Sequence, residues 1–367
     1  MLAVCSIAVA FAMLEGAARY FYEDLAPEGG RKVIKRALSS DIAKTDWLYY
    51  KSHPYMLYML APNERDTNSR GYRGPEFTDA PPSDRLRILA LGGSTTWGQG
   101  AKTYDQAWPG QLEAILARRG LRTEVINGAF PAATTAELAA HYVFKHKAYK
   151  PDIVILHVGW NDTLPLLSKH YHAAYDDYRG WKSPPLAFRP GEKHLLSFAI
   201  MRIAYAWWFQ HTALDKFIIV NDRYRKFDPA QALKSAKENF PEGFSRNVET
   251  IIDLARAHGA RVILFPTTVA WDTAIFERSP APNSERVWPA LMVSLEKNRA
   301  VLREISKRKS VMHFELLDRS IPLREFIDHA HTTPQGHAIK ARFIADKMCA
   351  MLKEARLRHE FRCSKSL

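Results

Sequence analysis

Cysteine is scarce in this chain of 367 residues: only Cys5, Cys349 and Cys363 are present, and no Cys-x-x-Cys pair occurs. A thiolate zinc site and a disulfide scaffold are thereby excluded. The count favours Cys349 and Cys363 as two free thiols, with a bridge between them open only in an oxidising compartment. A long unbroken apolar run is missing too. Leu2 to Leu14 is uncharged but only thirteen residues long, and it ends at Glu15, short of the ~20 that a bilayer requires. No basic stretch precedes it and no cleavage site follows, so it does not spell a signal peptide. Negative charge is outnumbered: 52 Lys and Arg against 39 Asp and Glu leave a net charge of +13. Such a balance favours an anionic neighbour such as phospholipid, acidic polysaccharide or nucleic acid. The basic residues are spread along the chain and no nucleic-acid motif accompanies them, so a solvated basic surface and no nucleic-acid partner are expected.

What is present supports a real core, since 47% of the residues are apolar. The length fits one large domain with insertions or two small ones. With Gly16, Ala17, Ala18, Tyr20, Phe21 and Tyr22 the first run extends to about 20 residues, broken by Glu15 and Arg19. Residues 1–22 are therefore expected to be a membrane anchor, the alternative being an amphipathic helix packed on the domain. Residues 23–84 are polar, rich in Pro and Arg, and form a linker and irregular arm. Within it, Asn68-Ser-Arg-Gly-Tyr-Arg-Gly74 is a turn-rich loop.

From there strands and helices alternate. Strands are expected at 88–91, 125–126, 153–158, 262–265 and 311–314, and helices at 105–119, 135–147, 245–258, 290–307 and 336–353. Such alternation builds βαβ units and a parallel sheet covered on both faces. Five strands fit a flavodoxin-like three-layer α/β/α sandwich. Residues 165–240 interrupt the pattern. Their apolar stretch, Leu195 to Val220, contains Arg202, His211, Asp215 and Lys216, which makes it a poor spanning helix. It is expected to be a helical pair on the sheet, or else a lid or acyl-binding wall.

The stretch Arg87 to Gly100, RILALGGSTTWGQG, organises the rest. Four apolar residues ended by glycines make a buried strand leaving a sheet. Ser94 then stands on a strand-to-helix turn, at the sheet edge where ligands bind in open α/β folds. It is either a helix cap or a reactive group. Thr96 stands where a nucleophile elbow needs glycine. Gln99 stands where a phosphate loop needs lysine, and Ser94 and Trp97 stand where a dinucleotide fingerprint needs glycine. Two further loops leave strand ends with polar groups: Val158-Gly-Trp-Asn-Asp162 and Phe326 to Gly336. A nucleophilic serine needs a base, the base an orienting acceptor, and the oxyanion fixed donors. Asp328 and His331 are three apart on one loop, and Asn161 offers side-chain N–H donors. His329 and His337 are rivals for the role of His331.

Taken together these residues resemble a family. Gly92-Gly-Ser94, the Asn127 loop, Gly159-Trp-Asn161-Asp162 and Asp328-x-x-His331 are similar, in order, to the four blocks of SGNH/GDSL hydrolases. His331-Thr-Thr-Pro-Gln-Gly336 resembles the family's H-L-T-x-x-G ending. Asn68 to Gly74 is similar to an N-x-x-G-[FY]-R-G element of membrane-anchored bacterial members. The resemblance implies an SGNH hydrolase domain over residues 85–355, with the helical insertion at about 165–240, and it leaves a basic tail at 356–367. It implies Ser94 as nucleophile, His331 as base and Asp328 as its partner. The oxyanion hole would be the Ser94 N–H, the Ala132 N–H and the Asn161 side chain. Gly93 replaces the block-one aspartate, and Ala132 replaces the block-two glycine. No metal or organic cofactor is implied. The expected activity is hydrolysis of a carboxylic ester through an acyl-enzyme. The ester would belong to an acylated glycan or lipid, O-acetyl groups of a surface polysaccharide foremost, at a membrane outside the cytoplasm. The alternatives are an O-acyltransferase using the same triad and a catalytically silent glycan-binding or assembly protein.

Overall fold

The computed structural model describes residues 2–28, 30, 31, 34, 50–53, 55–64, 66–175, 192–212, 227–278, 284–354 and 363. The basic tail apart from Cys363 and parts of the arm and the insertion, including most of His170 to Pro190 and Ala213 to Val220, lie outside the described residues. In chain order the main elements begin with helix α1 (Leu2–Tyr20), strand β1 (Leu86–Gly92), α2 (Ser94–Trp97), α3 (Trp108–Arg118) and β2 (Thr123–Asn127). They continue with α4 (Thr135–Phe144), β3 (Ile153–Val158), α5 (Ala199–Thr212), α6 (Pro229–Glu238) and α7 (Glu242–Ala257). Strand β4 (Arg261–Pro266), α8 (Trp288–Lys309), β5 (Met312–His313) and α9 (Pro334–Glu354) complete the set. The chain forms two compact units, residues 1–52 with 178–223, and residues 53–177 with 224–367.

The second unit holds a five-stranded sheet in the order β2-β1-β3-β4-β5, every neighbouring pair parallel. Flavodoxin-like folds share this order, and their ligands sit where the chain reverses direction across the sheet, between the first and third strands. Each strand of the centre is buried along its length, which explains the continuous apolar runs. Alternate residues serve the two faces. Ile88, Ala90, Ile153, Ile155, Ile263 and Phe265 share one core with Trp108, Leu112 and Leu116 of α3 and with Ile344 and Met348 of α9. The other face is covered by α4, α7 and α8.

Helix α6 was not expected; it falls inside the interval assigned to the insertion. It packs on α8 and on the turn Pro165–Leu167. Its buried face is Ala232, Ser235 and Ala236, too weakly apolar to show a period. Its start is spelled locally, however: the Asp228 side chain accepts the Gln231 N–H at 2.8 Å, and Pro229 opens the first turn. A second difference concerns cysteine. Cys349 and Cys363 are joined in a disulfide, with Cα atoms 5.7 Å apart, so the expectation of two free thiols is corrected. Residue counts carry no information on the proximity that α9 and Cys363 provide.

In the first unit α1 packs on α5, with Phe11 edge-on to Phe198 at 5.5 Å. Glu15, which interrupts the apolar run, accepts the backbone N–H groups of Ala199 at 2.8 Å and Ile200 at 3.3 Å. It thus caps the first turn of α5 from another helix, where the helix dipole favours an anion. Arg19 pairs with it at 2.8 Å. Much of α1 stays uncovered: Ile7 and Met13 are each 70% exposed and Leu14 63%. Among the described residues, no helix is long and apolar enough to cross a membrane.

Candidate active site

Ser94 follows the carboxyl end of β1 and opens α2. Gly93, not Ser94, occupies the cap position, and it makes no side-chain cap bond. The capping role is therefore excluded, and the hydroxyl is turned elsewhere. Ser94 Oγ lies 2.6 Å from Nε2 of His331, and Nδ1 of His331 lies 2.6 Å from Oδ2 of Asp328. Both side chains of the Ser–His pair are buried. The other oxygen of Asp328 accepts the N–H groups of Ala330 and His331, each at 2.8 Å. Burial alone would raise the pKa of Asp328. The neighbouring His331 imidazole, its hydrogen bond and the Ala330 N–H outweigh burial and hold the carboxyl well below the usual carboxylate range. An ionised acceptor therefore faces Nδ1 and assigns that nitrogen the proton, leaving Nε2 free to accept from Ser94.

The rivals of His331 are placed elsewhere. His329 packs among rings, 5.0 Å from Trp160 and 6.1 Å from Trp288 by centroids. His337 lies in α9 with Nε2 3.2 Å from the Gln99 carbonyl. Burial, aided by the charge of Lys340, pulls its pKa down to about 3, so it stays neutral.

Asn161 starts the short turn after β3 and donates from Nδ2 to the Ala133 carbonyl at 2.7 Å. A Cβ on Gly93 would collide with that same Nδ2. The absence of a side chain at Gly93 is thus what lets Asn161 lie against the turn that carries Ser94. Ala132 has φ +62°, the left-handed region that glycine occupies freely and alanine does not. Alanine holds this dihedral under strain. A cavity of about 10 Å³ lies beside Ser94, lined by Gly93, Ala133, Trp160, Asn161 and Thr267 among others, the size of a single water. Among the described residues, no cluster of His, Cys, Asp and Glu is arranged to hold a metal ion.

Residues 90–195, which run from β1 through Ser94 and past Asn161, match the sequence model of the GDSL-like lipase/acylhydrolase family. This is an ester-bond hydrolase. Among solved structures the chain is similar to a GDSL-like lipase from Bacteroides thetaiotaomicron, at 12% identity over 74% of this chain and 92% of that one, with a TM-score of 0.42. It is also similar to a catalytic mutant of an acetylxylan esterase from Geobacillus stearothermophilus, at 12% identity over 77% and 97% of the two chains, with a TM-score of 0.43. No curated protein matches the chain.

The rest of the hydrolase's site is bracing that spacing alone did not reveal. Arg73, 1% exposed, donates to the carbonyls of Trp97 at 2.8 Å, Gly98 at 3.0 Å and Ala101 at 2.9 Å, and pairs with Asp66 at 2.8 Å. Its guanidinium also lies 4.1 Å from the Trp97 ring centroid. It satisfies the carbonyls at the C-terminal end of α2, the turn that carries Ser94. Asn68 Oδ1 bonds the Arg70 and Tyr72 N–H groups and so shapes the loop that delivers Arg73. Asn127 Nδ2 reaches the same turn, at 3.3 Å from the Thr96 carbonyl and 3.2 Å from that of Trp97. His157 Nδ1 is 2.7 Å from Thr96 Oγ1. Asp162 accepts from the backbone of Thr135 at 3.1 Å, from its hydroxyl at 2.6 Å and from Tyr175 at 3.0 Å. It ties the Asn161 loop to the start of α4. The one available signal was the Asn68–Gly74 spelling, which singled out the loop but not the arginine's target.

Proposed function

We propose that the hydrolase works through an acyl-enzyme on Ser94, with His331 as general base and Asp328 as its orienting anion. The unbroken chain Ser94–His331–Asp328, with both links at 2.6 Å, carries this assignment. Nε2 of His331 takes the Ser94 proton as Oγ attacks the ester carbonyl. The developing oxyanion is met by the N–H groups of Ser94 and Ala132 and by one N–H of Asn161 Nδ2, whose other N–H is held by the Ala133 carbonyl. His331 then protonates the departing alcohol, and a water activated by the same nitrogen releases the acid.

The substrate class is an acetyl or similarly small O-acyl ester on a glycan, a reading supported by the small cavity, about 10 Å³, that lies beside Ser94 among the described residues. An acetylxylan esterase is among the proteins with a similar structure. The working place is a membrane surface outside the cytoplasm. The uncovered apolar side chains of α1 supply an interfacial anchor, and the Cys349–Cys363 bridge fits an oxidising compartment. A panel of O-acetylated sugars, long-chain nitrophenyl esters and acyl-thioesters tests the assignment. Turnover of acetyl esters at least tenfold above that of decanoyl esters is expected. Preference for the long chains contradicts the substrate class, and sugar acylation outpacing hydrolysis makes the protein an acyltransferase.

A further inference from the structure

The sheet unit carries another cavity, of about 420 Å³, lined by Thr273, Phe276, Glu277, Glu285, Trp288 and Pro289. Its volume is within the usual range of small-ligand pockets, about 300–1,000 Å³. Its wall is aromatic: Phe276 and Trp288 meet edge-on at 5.3 Å. The rings continue toward the catalytic loops. Trp288 is 6.0 Å from Trp160 and 6.1 Å from His329, and Trp160 is 5.0 Å from His329. Trp160 immediately precedes Asn161, and His329 lies between Asp328 and His331, so the row of rings runs from the cavity to the ester site. The rim is acidic, with Glu277 and Glu285 both exposed.

We propose that this cavity is a sugar subsite that seats an uncharged pyranose ring of the acylated glycan. The subsite rests on the ester-hydrolase function above and names what lies on the alcohol side of the scissile bond. A pyranose presents apolar C–H faces, which stack on Phe276 and Trp288, and hydroxyl donors, which carboxylates are suited to accept. A fatty chain would cover the two carboxylates without offering them a donor, which is costly. A uronate would bring like charge against Glu277 and Glu285. The overall charge of +13 therefore does not set the preference here, because the local carboxylates oppose it.

Binding can be measured apart from catalysis on the Ser94→Ala protein, by saturation-transfer NMR with cellotriose, trigalacturonate and decanoate. Cellotriose is expected to bind and to receive saturation at its ring protons, with affinity at least tenfold above that of trigalacturonate. Trp288→Ala should weaken cellotriose at least tenfold. The paired conservative change Glu277→Gln with Glu285→Gln, at exposed positions where folding is not at stake, should narrow the preference over the uronate by about tenfold. Cellotriose binding that is absent, that survives Trp288→Ala, or that yields to decanoate overturns the subsite. So does an unchanged preference in the Glu pair, whether or not Trp288→Ala folds. Failure of a fluorophosphonate to label Ser94 in the wild-type protein would instead strike the catalytic assignment, and leaves cellotriose binding to stand or fall alone.

Discussion

The nucleophile side and the base side of the proposed triad are held in contrasting ways. The base loop is self-contained: Asp328 fixes His331 through its ring and its backbone N–H and bonds Ala330 as well, all within four residues. The nucleophile turn is held from a distance, by Arg73, Asn127 and His157, which come from three separate parts of the chain. A local device shows in spacing; a distributed one does not. The contrast also separates chemistry from support, because the base loop's holder touches the reacting histidine, whereas the holders of the nucleophile turn grip carbonyls and Thr96 behind Ser94.

The largest effects belong to the local side. His331→Ala and Asp328→Asn should each lower kcat by about 10⁴-fold or more, as removal of triad members does. His329→Ala and His337→Ala should cost far less, and steady-state kinetics on nitrophenyl acetate separates these outcomes. Asn161→Ala comes next, with kcat down by about 10²–10³ and KM little changed, because its donor acts mainly in the transition state. Near-normal turnover there would remove Asn161 from the oxyanion hole. Arg73→Met probes the distributed side. It leaves three carbonyls near α2 without their donor and should cost about 2–4 kcal/mol of stability, read by urea unfolding. Arg73→Lys should recover only part of this, since lysine lacks the planar fork.

Much of this architecture was legible beforehand. The strand and helix limits expected from periodicity lie within a few residues of those observed, because buried parallel strands and amphipathic helices write their burial into the sequence. Asp328 and His331 were legible because the pair is local. Arg73 was not, because nothing in a turn-rich loop tells which carbonyls its arginine reaches. The Cys349–Cys363 bridge and α6 escaped for related reasons: one depends on proximity after folding, the other buries only small side chains.

Two smaller effects sharpen the contrast. Behind both halves lie buried bases whose charged forms are disfavoured by desolvation. His337 is lowered to about 3 and His157 is pushed well below the ordinary value of 6.5, while Lys340 is lowered to about 7. In each case the unfolded chain binds more protons, so stability rises with pH through the window between the folded and unfolded pKa. For His337 that window is about 3 to 6.5, so stability should fall as pH drops through it. For Lys340 it runs from about 7 to 10.5. Lys340→Met should therefore raise the melting temperature at pH 7, and the gain should fade toward pH 10. A gain independent of pH would show that packing, not desolvated charge, is responsible. The smallest effect is expected at Ala132. Glycine accepts φ +62° without strain, so Ala132→Gly should stabilise by up to about 1 kcal/mol. Activity should stay within about twofold if only the backbone donor matters.

The central claim is that Ser94 is activated by His331. Mass spectrometry after fluorophosphonate treatment measures it most directly, because that reagent requires an activated serine. One adduct on the Ser94 peptide is predicted, strongly reduced in His331→Ala while its fold persists. An adduct on a different serine, or equal labelling of Ser94 without His331, would contradict the account.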